Sequence, residues 1–587
     1  MNMLTPRSKA AQIALATLLI YACVALATNA QAQTGRYRIA GKVVSSTSGA
    51  PLAQARVTIA SVEDRSATIS VITGDDGVFA FANVPAGKYS LEGARRGFIT
   101  SGYDAHENFS TAIVTGGEAD SEHLIFRLTP QAVLTGQVFD EAGDPVRKAS
   151  VSLYRQDQST GVGLTRRIAS ARTDDRGVYE FAELPAGNYF ISVNARPWYA
   201  LHPRSSRNGG GTATTTNSDG TVTTVREEET ITTSVVPPSF DVTYATTYYP
   251  DTTDSDEATP IPLRGGEHLT ADVHLSPVPA LRILLRMDQQ PGRGFAMPQL
   301  FKKSFDSTEN VTVQLMAPNS DVTGERPAST FTMLGDGEME FSGIPAGKYT
   351  VRVPALPGSE QSGSVGEFDI NQNGQEVNPS AGEPASGAKF TVRVLGTARP
   401  PQGLMLALRT REHRVVRAAP VDSHGACEML DLPPGKYDLL AATPINDYAV
   451  TRITINGSPS RGHTLDVVAG ATVEGTVTLI GGQTVVQGIA KRDGKGVPGA
   501  MIVMVPKDPE ANGELFRRDQ SDLDGTFSLG TVIPGEYTVV AIENGWDLNW
   551  SQPGVIAHYA ETGQKVVVAP TAGEPVRLSE PVEVQPR

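Results

Sequence analysis

The stretch GVFAFANVPAGKYSL, residues 77–91, decides the fold because close copies of it recur along the chain. The second copy is GVYEFAELPAGNYFI, residues 177–191. Five copies occur, each with a first glycine, a second glycine ten residues later and a tyrosine two residues beyond that. These residues are Gly77, Gly87 and Tyr89; Gly177, Gly187 and Tyr189; Gly337, Gly347 and Tyr349; Gly425, Gly435 and Tyr437; and Gly525, Gly535 and Tyr537. Such internal agreement indicates one structural unit repeated in series.

Apolar residues stand two and four positions after each first glycine, which is the period of a strand with one buried face. The pairs are Phe79 and Phe81, Tyr179 and Phe181, Met339 and Phe341, Cys427 and Met429, and Phe527 and Leu529. A second strand is expected near each tyrosine. The intervening PAG, PPG or IPG predicts a tight turn in which the second glycine has positive φ. Acidic residues before the first glycine predict a hairpin from an earlier strand.

The upstream half of each unit is clearest in GAPLAQARV, GDPVRKASV and GKGVPGAMI, which begin at Gly49, Gly143 and Gly494. A strand pattern precedes and follows each of these turns. Short alternating strands with regular turn signals predict an all-β protein of antiparallel β-sandwiches. These residues resemble the carboxypeptidase regulatory-like domain, a transthyretin-like β-sandwich. The resemblance implies a non-catalytic domain whose tandem copies are similar to secreted bacterial surface proteins.

Domain boundaries are expected to follow the repeats, because about 555 residues beyond a leader exceed the usual size of one domain. The third and fourth units keep the Gly and Pro-x-Gly-x-Tyr half but are degenerate in the first half. The expected units span residues 36–130, 131–279, 280–378, 387–470 and 471–587. Within the second, residues 203–236 are rich in Gly, Thr and charge and are expected to be a disordered insertion.

Residues 1–32 have the pattern of an export signal. Arg7 and Lys9 precede the apolar run AAQIALATLLIYACVALA, and Ala30, Gln31 and Ala32 offer a small-x-small cleavage site. Both cleavage and retention as an N-terminal anchor remain open, and either places the remainder outside the cytoplasm. No later run approaches the length of a membrane helix. The expected location is therefore extracytoplasmic: secreted, periplasmic or on the cell surface.

The charge of the chain argues against nucleic acid as a partner. The formal net charge is −14 and no Lys or Arg cluster stands out downstream of the signal. The nine histidines are scattered, so neither a metal site nor another cofactor is expected. Cys427 is the one cysteine beyond the signal; it occupies a core position of the repeat and is expected to be buried rather than catalytic.

Aromatic residues provide the candidate ligand site. Trp198 and Trp546 stand nine residues after the repeat tyrosines of their units, where a strand is expected to run into a loop. Together with Tyr199 and Trp550 they are candidates for stacking on sugar rings. The alternative is that each ring caps the core of its own sandwich.

The sequence therefore favours a non-catalytic exported protein for cell-surface or envelope scaffolding, adhesion or protein interaction. The alternative is a carbohydrate-binding protein that uses the loop aromatics. The expected partner is a protein or polysaccharide at the cell envelope.

Overall fold

The structure of the 587-residue chain is a computed structural model, and it describes most residues from 36 onward. The described residues are 36–157, 164–208, 212–216, 222–226, 230–286, 299–302, 329–335, 338–353, 364–378, 386–410, 415–443, 447–455, 458–459, 464–482, 484–510, 512, 515–569 and 574–587. The predicted export signal, residues 1–32, lies outside them. Among the helices of these residues, none is long and apolar enough to cross a membrane.

Unit 1, residues 36–130, is a sandwich of two sheets. Its strands are β1 (Tyr37–Ser45), β2 (Arg56–Ser61), β3 (Thr68–Ile72), β4 (Val78–Val84), β5 (Gly87–Ala94), β6 (Ser101–Gly102), β7 (Ile113–Thr115) and β8 (Leu124–Leu128). One sheet has the order β4-β1-β8, and the other has the order β3-β2-β5-β6 with β7 against β5. The core between them draws side chains from both sheets.

Unit 2, residues 131–279, repeats this plan. Its strands are β9 (Ala132–Phe139), β10 (Ser150–Asp157), β11 (Leu164–Arg172), β12 (Val178–Leu184), β13 (Gly187–Asn194), β14 (Ser205–Asn208), β15 (Thr212–Thr216), β16 (Val222–Arg226), β17 (Thr230–Thr233), β18 (Val242–Tyr244), β19 (Thr247–Tyr248), β20 (Ile261–Leu263), β21 (His268–Thr270), β22 (Val273–His274) and β23 (Pro277–Pro279). A 3₁₀ turn spans Ser255–Glu257. The sheets are β12-β9-β21, with β22 also against β9, and β11-β10-β13-β19, with β20 against β13.

Residues 203–236, expected from the sequence to be a disordered insertion, contain four strands among their described residues. Strand β14 pairs with β17, and β15 pairs with β16, so the described residues form two antiparallel ladders. Strands β15, β16 and β17 are built largely from threonine and valine, whose β-branched side chains favour extended backbone.

Unit 3, residues 280–378, has a smaller described core. Its strands are β24 (Leu281–Arg286), β25 (Gln299–Lys302), β26 (Thr330–Gly335), β27 (Glu338–Ile344), β28 (Gly347–Val353), β29 (Ser364–Ile370) and β30 (Gln375–Val377). The sheets are β26-β27-β24-β30 and β25-β28-β29. Side chains from both sheets meet in one core.

Unit 4 extends beyond the expected boundary at residue 470. Its strands are β31 (Ser386–Val394), β32 (Met405–Arg409), β33 (Val415–Pro420), β34 (Ala426–Leu432), β35 (Gly435–Ala442), β36 (Asp447–Ile455), β37 (Ser458–Pro459), β38 (Thr464–Val467) and β39 (Thr472–Gly481). Strand β39 pairs with β31 and β36, and its Val477 and Leu479 lie in the core of unit 4. The unit therefore spans residues 386–482.

Unit 5, residues 484–587, has a helix as well as strands. The strands are β40 (Thr484–Arg492), β41 (Lys495–Gly496), β42 (Met501–Pro506), β43 (Arg517–Gln520), β44 (Thr526–Val532), β45 (Gly535–Ile542), β46 (Gln564–Val568), β47 (Val576–Arg577) and β48 (Val582–Gln585). A 3₁₀ turn spans Gly545–Asp547, and helix α1 spans Pro553–Ala560. The main sheet path is β41-β40-β48-β45-β42-β43.

The prediction of an all-β sandwich architecture is confirmed, with one refinement of strand direction. In every unit the first strand pairs antiparallel with the first strand of the repeat phrase, as β1 does with β4. The same first strand pairs in parallel with a closing strand, as β1 does with β8. After the strands of the second sheet, the chain thus returns to the first sheet, where the closing strand lies beside the first strand.

The phrase-derived core residues are buried in all five units, as predicted. Each of the ten side chains at positions two and four after the first glycine has at most 8% of its surface exposed. The two strands of the phrase nevertheless lie in different sheets: β4 pairs with β1, whereas β5 pairs with β2. The PAG segment is therefore a crossover between layers.

The turn before the first glycine is also a crossover in unit 1, since β3 pairs with β2 and β4 with β1. In unit 3, by contrast, β26 and β27 pair antiparallel across this turn, as the predicted hairpin requires. The hairpin expectation holds for that strand pair and is wrong for units 1, 2, 4 and 5, where the strands before and after the turn pair with different strands. An acidic residue followed by glycine permits a sharp reversal in both settings and does not specify which strand the chain joins.

The first glycine of the phrase is the position that requires left-handed backbone. Its φ is 72° at Gly77, 73° at Gly177, 88° at Gly425 and 84° at Gly525; Gly337 lies outside the described residues. In each case its carbonyl accepts a hydrogen bond from the first strand of the unit, for example from Val138 N to Gly177 O at 2.9 Å. A Cβ added at Gly177 would lie 2.7 Å from the Val138 carbonyl oxygen.

The second glycine differs from the expectation. Gly87 and Gly347 have φ of 155° and 150°, but Gly187, Gly435 and Gly535 do not have left-handed φ, so the expectation is wrong for these three. In all five units this glycine is the first residue of the second strand, whose extended backbone does not require left-handed φ.

The repeat tyrosine stabilises the crossover segment between the two sheets. In every unit its hydroxyl donates a hydrogen bond to the backbone carbonyl four residues earlier. The bonds are Tyr89 to Pro85 (3.2 Å), Tyr189 to Pro185 (2.6 Å), Tyr349 to Pro345 (2.7 Å), Tyr437 to Pro433 (2.7 Å) and Tyr537 to Ile533 (2.7 Å). This tyrosine corner explains why tyrosine, not phenylalanine, occupies the position in all five copies.

The first glycine is predicted to be far less replaceable than the second. Gly177→Ala should destabilise unit 2 by about 1–3 kcal/mol, because Cβ would be held in left-handed backbone against a strand carbonyl. Gly187→Ala is the matched control: its nearest neighbour is the flexible side chain of Arg155, and a change within about 1 kcal/mol is expected. Urea unfolding of both variants measures the difference. Equal losses would contradict the assignment of the constraint to the first glycine.

The tyrosine corner is predicted to stabilise the units unequally. Tyr189 is fully buried, so Tyr189→Phe leaves a carbonyl without its partner and should lower the free energy of unfolding by about 1–3 kcal/mol. Tyr89→Phe removes an exposed and longer hydrogen bond and should lower the free energy of unfolding by less than about 0.5–1 kcal/mol. Chemical unfolding of the two variants tests this order, and a reversed order would refute the role of the bond.

Candidate functional site

The candidate aromatic residues of units 2 and 5 lie in two different environments. Trp546 and Trp550 belong to a second hydrophobic layer on the outer face of unit 5, with 8% and 5% of their surface exposed. The indole N–H of Trp546 donates to the Gly499 carbonyl at 3.2 Å. The ring of Trp550 lies edge-on to Phe516, with centroids 5.3 Å apart. Both side chains thus cover the sheet of their own unit.

Helix α1 completes this outer layer and was not foreseen from the sequence. Pro553 stands at its start, where its missing N–H costs nothing. Its buried side chains, Ile556 and Tyr559, pack in the same layer as the two tryptophans. Eight residues are too short for a helical periodicity to stand out, but Pro553 at the first turn was the available signal.

Trp198 is the exposed candidate. It follows β13 in the segment RPWY, and 86% of its surface is open to solvent. Its ring lies edge-on to that of Tyr199, with centroids 5.7 Å apart and an interplanar angle of 84°. A large aromatic side chain is therefore presented outward from an ordered loop of unit 2.

Glu141 anchors this loop. Its carboxylate accepts hydrogen bonds from the hydroxyl of Tyr199 and from that of Tyr244, the latter at 2.7 Å. Burial raises the pKa of Glu141, but the bonds from Tyr199, its own backbone and Tyr244 outweigh it, and the net pKa lies below the usual value. Burial and the bond to Glu141 raise the pKa of Tyr199 to about 12. The carboxylate and both phenols therefore keep their hydrogen-bonding forms at neutral pH.

Three other exposed apolar side chains lie on the Trp198 loop or on the segment that is hydrogen-bonded to it. Leu201 is 58% exposed, and its backbone N–H donates to the Phe240 carbonyl at 2.8 Å, which brings the two segments together. Phe240 is 42% exposed, and Val235 on the same segment is 96% exposed. Trp198, Leu201, Val235 and Phe240 are called the apolar patch below. Sequence reasoning missed its last three members and the anchors Glu141 and Tyr244, because distant segments meet here.

Residues with potential catalytic or metal chemistry have structural surroundings. Cys427 is buried in the core of unit 4, where burial raises the pKa of its thiol to about 12, so the reactive thiolate is disfavoured. One His-x-x-Glu spacing occurs, at His558 and Glu561, and both side chains are exposed near the end of α1. In the described part of the chain, no group of three or more His, Cys, Asp or Glu residues is arranged to hold a metal ion.

Comparisons with solved structures find matches at low similarity. The Bacillus anthracis TIE protein is 11% identical over 77% of this chain and 76% of its own, with a TM-score of 0.16. A streptococcal ancillary pilin is 12% identical over 52% of this chain and 100% of its own, with a TM-score of 0.18. GBS52, the minor pilin of Streptococcus agalactiae, is 10% identical over 41% and 97%, with a TM-score of 0.20. These overlays carry no argument about this chain.

The comparison with curated proteins finds no match. The family model of the carboxypeptidase regulatory-like domain matches residues 38–120 and 133–202. These ranges contain the repeat phrases of units 1 and 2 with their glycines and corner tyrosines, Tyr89 and Tyr189. Residues 38–120 and 133–202 are therefore two tandem segments that match the carboxypeptidase regulatory-like domain.

Proposed function

We propose that the chain is a non-catalytic, extracytoplasmic scaffold that binds another protein through the apolar patch of unit 2. The observation that carries this proposal is the outward display of four apolar side chains on an anchored surface. A contiguous patch of exposed apolar residues is typical of protein interaction sites, and these four side chains are proposed to form one. Tryptophan at the centre of such a site commonly contributes much of the binding energy.

The anchoring of the loop supports binding by a preorganised surface. Because Glu141 holds Tyr199 and Tyr244, the loop that carries Trp198 is tied to two other segments of unit 2. A surface already held in its binding conformation loses less entropy when a partner associates. The extracytoplasmic location in this proposal rests on the signal pattern of residues 1–32. The non-catalytic role rests on the regulatory-like domains and on the structural use of residues such as Cys427.

Carbohydrate binding is the second candidate, and Trp198 with Tyr199 is its specific observation. An exposed indole ring offers a flat apolar face to a sugar, and the adjacent Glu141 supplies a carboxylate at its side. The exposed apolar residues Leu201, Val235 and Phe240 on the two hydrogen-bonded segments favour a protein over a polysaccharide, because sugars present many hydroxyls that need polar partners. Trp546 and Trp550 do not join this surface, since they are buried in unit 5.

Trp198→Ala is predicted to weaken partner binding at least tenfold, the loss expected when a central tryptophan is truncated. A photo-crosslinking residue at Leu201 in intact cells should trap a defined protein, and the affinity of that purified protein for the wild-type and variant chains is then measured. Ile125, an exposed apolar residue on β8 of unit 1, is the matched crosslinking control. A panel of envelope and plant polysaccharides is titrated in parallel.

The outcomes separate the candidates. A partner trapped at Leu201 but not at Ile125, and weakened by Trp198→Ala, supports protein binding. Polysaccharide binding that is lost in Trp198→Ala and retained in Phe240→Ala supports the second candidate instead. Equal trapping at both positions, with no polysaccharide bound, would contradict both.

A further inference from the structure

The two ends of the folded chain contact each other. Residues 103–112 of unit 1, called the clasp segment, lie against β43 and the following turn of unit 5, residues 517–523. The partners are about 410 residues apart in sequence; Glu107 and Arg518, for example, are separated by 411. Neither segment was predicted to bind the other, because each belongs to a loop or edge of its own unit.

Two ion pairs join the units. The guanidinium of Arg518 makes a two-pronged contact with the Glu107 carboxylate, and the bond from Nη1 to Oε1 is 3.1 Å. The Arg518 side chain is 7% exposed and that of Glu107 is 21% exposed. Lys88 of unit 1 donates to the Asp522 carboxylate and, at 2.7 Å, to the Thr526 hydroxyl. A shielded two-pronged arginine contact specifies both position and orientation.

A buried amide makes the contact specific. Gln520 is 1% exposed, and its Nε2 donates to the Asp104 carbonyl at 2.6 Å and to the Thr111 hydroxyl at 2.8 Å. Its Oε1 lies 3.2 Å from His106 Nδ1. All three partners belong to unit 1. Such an amide is well satisfied only when the two units are together, since a buried polar group without partners is costly.

Each unit also inserts an apolar side chain into the other. Leu523 of unit 5 packs against the core of unit 1, and Phe109 of unit 1 packs against the outer layer of unit 5. Backbone groups meet at the same place, where Leu523 N donates to the Ala112 carbonyl at 3.0 Å. Ala112 N in turn donates to Asp522 Oδ1 at 3.2 Å. The contact thus combines apolar packing, backbone hydrogen bonds and ion pairs.

The clasp segment covers Trp546. The ring of His106 stacks on the indole with centroids 5.1 Å apart and planes 6° apart, and Phe109 lies 5.6 Å away. Arg518 lies over the Phe109 ring at 5.3 Å and over Trp550 at 4.6 Å. The aromatic surface of unit 5 therefore receives its ligand from the same chain.

We propose that unit 5 binds the clasp segment of unit 1 as an internal ligand in solution, and that this contact closes the five units into a ring. The chain itself is the favoured source of this ligand, because tethering keeps the two surfaces at a high effective concentration. The proposal concerns a surface separate from the apolar patch of unit 2 and is independent of what that patch binds.

Amide hydrogen exchange of the full chain tests the clasp through Glu107→Arg. The charge reversal places a second guanidinium against Arg518 and changes a loop of unit 1 rather than its core. Exchange in residues 103–112 and 517–523 should become at least tenfold faster, whereas β45 in the core of unit 5 should remain protected. Glu122→Arg is the matched control: it makes the same charge change in unit 1, at an exposed pair with Arg38. It should leave both segments protected.

A second variant distinguishes loss of the ion pair from local misfolding. Arg518→Glu combined with Glu107→Arg restores opposite charges and should recover protection in both segments relative to Glu107→Arg alone. Equal exchange rates in the wild type and Glu107→Arg, or rates already unprotected in the wild type, would overturn the clasp. Protection that falls on dilution, with a dimer mass by light scattering, would show that a second copy supplies the segment and would overturn closure within one chain.

Discussion

The repeated sandwich depends on one backbone contact, in which a left-handed glycine carbonyl accepts a hydrogen bond from the first strand. At Gly177 this contact joins the start of β12 to Val138 on β9, and no Cβ fits between glycine and strand. The contact sets the register of the phrase, so that its alternating residues enter the core. The chain then crosses to the other sheet, where the corner tyrosine fastens the crossover. Glycine and tyrosine thus recur in the phrase because both make hydrogen bonds that involve the backbone.

The repeated phrase allowed core residues of all five units to be predicted from the sequence. Positions such as Phe181 and Leu529 were placed correctly because a period of two reports directly which side chains share a face. The assignment of φ to the second glycine failed because a Pro-x-Gly triplet fits both a turn and a crossover that leads into a strand. The sequence did not reveal that unit 4 extends through β39. This strand pairs in parallel with β31, and parallel neighbours are not joined by a tight turn that the sequence could signal.

The candidate sites were harder to predict, because they depend on contacts between distant segments. Trp198 and Trp546 occupy equivalent positions after their second strands, yet one is exposed and the other is buried. The difference comes from neighbours outside the repeat: helix α1 and the clasp segment cover Trp546, whereas Glu141 and Tyr244 anchor the loop beside Trp198 without covering it. A motif within one unit contains no information about these neighbours.

Units 1 and 5, which are not adjacent in the sequence, present complementary surfaces to each other. In a linear arrangement, the aromatic face of unit 5 and the loop of unit 1 would both remain open to solvent, and Gln520 would lose the partners that it finds in unit 1. Pairing the terminal units satisfies both surfaces at once. Unit 2 lies inside the series, and the Trp198 surface is not covered in this way. Closure at the ends and display from an inner unit are therefore compatible consequences of the same repeated fold.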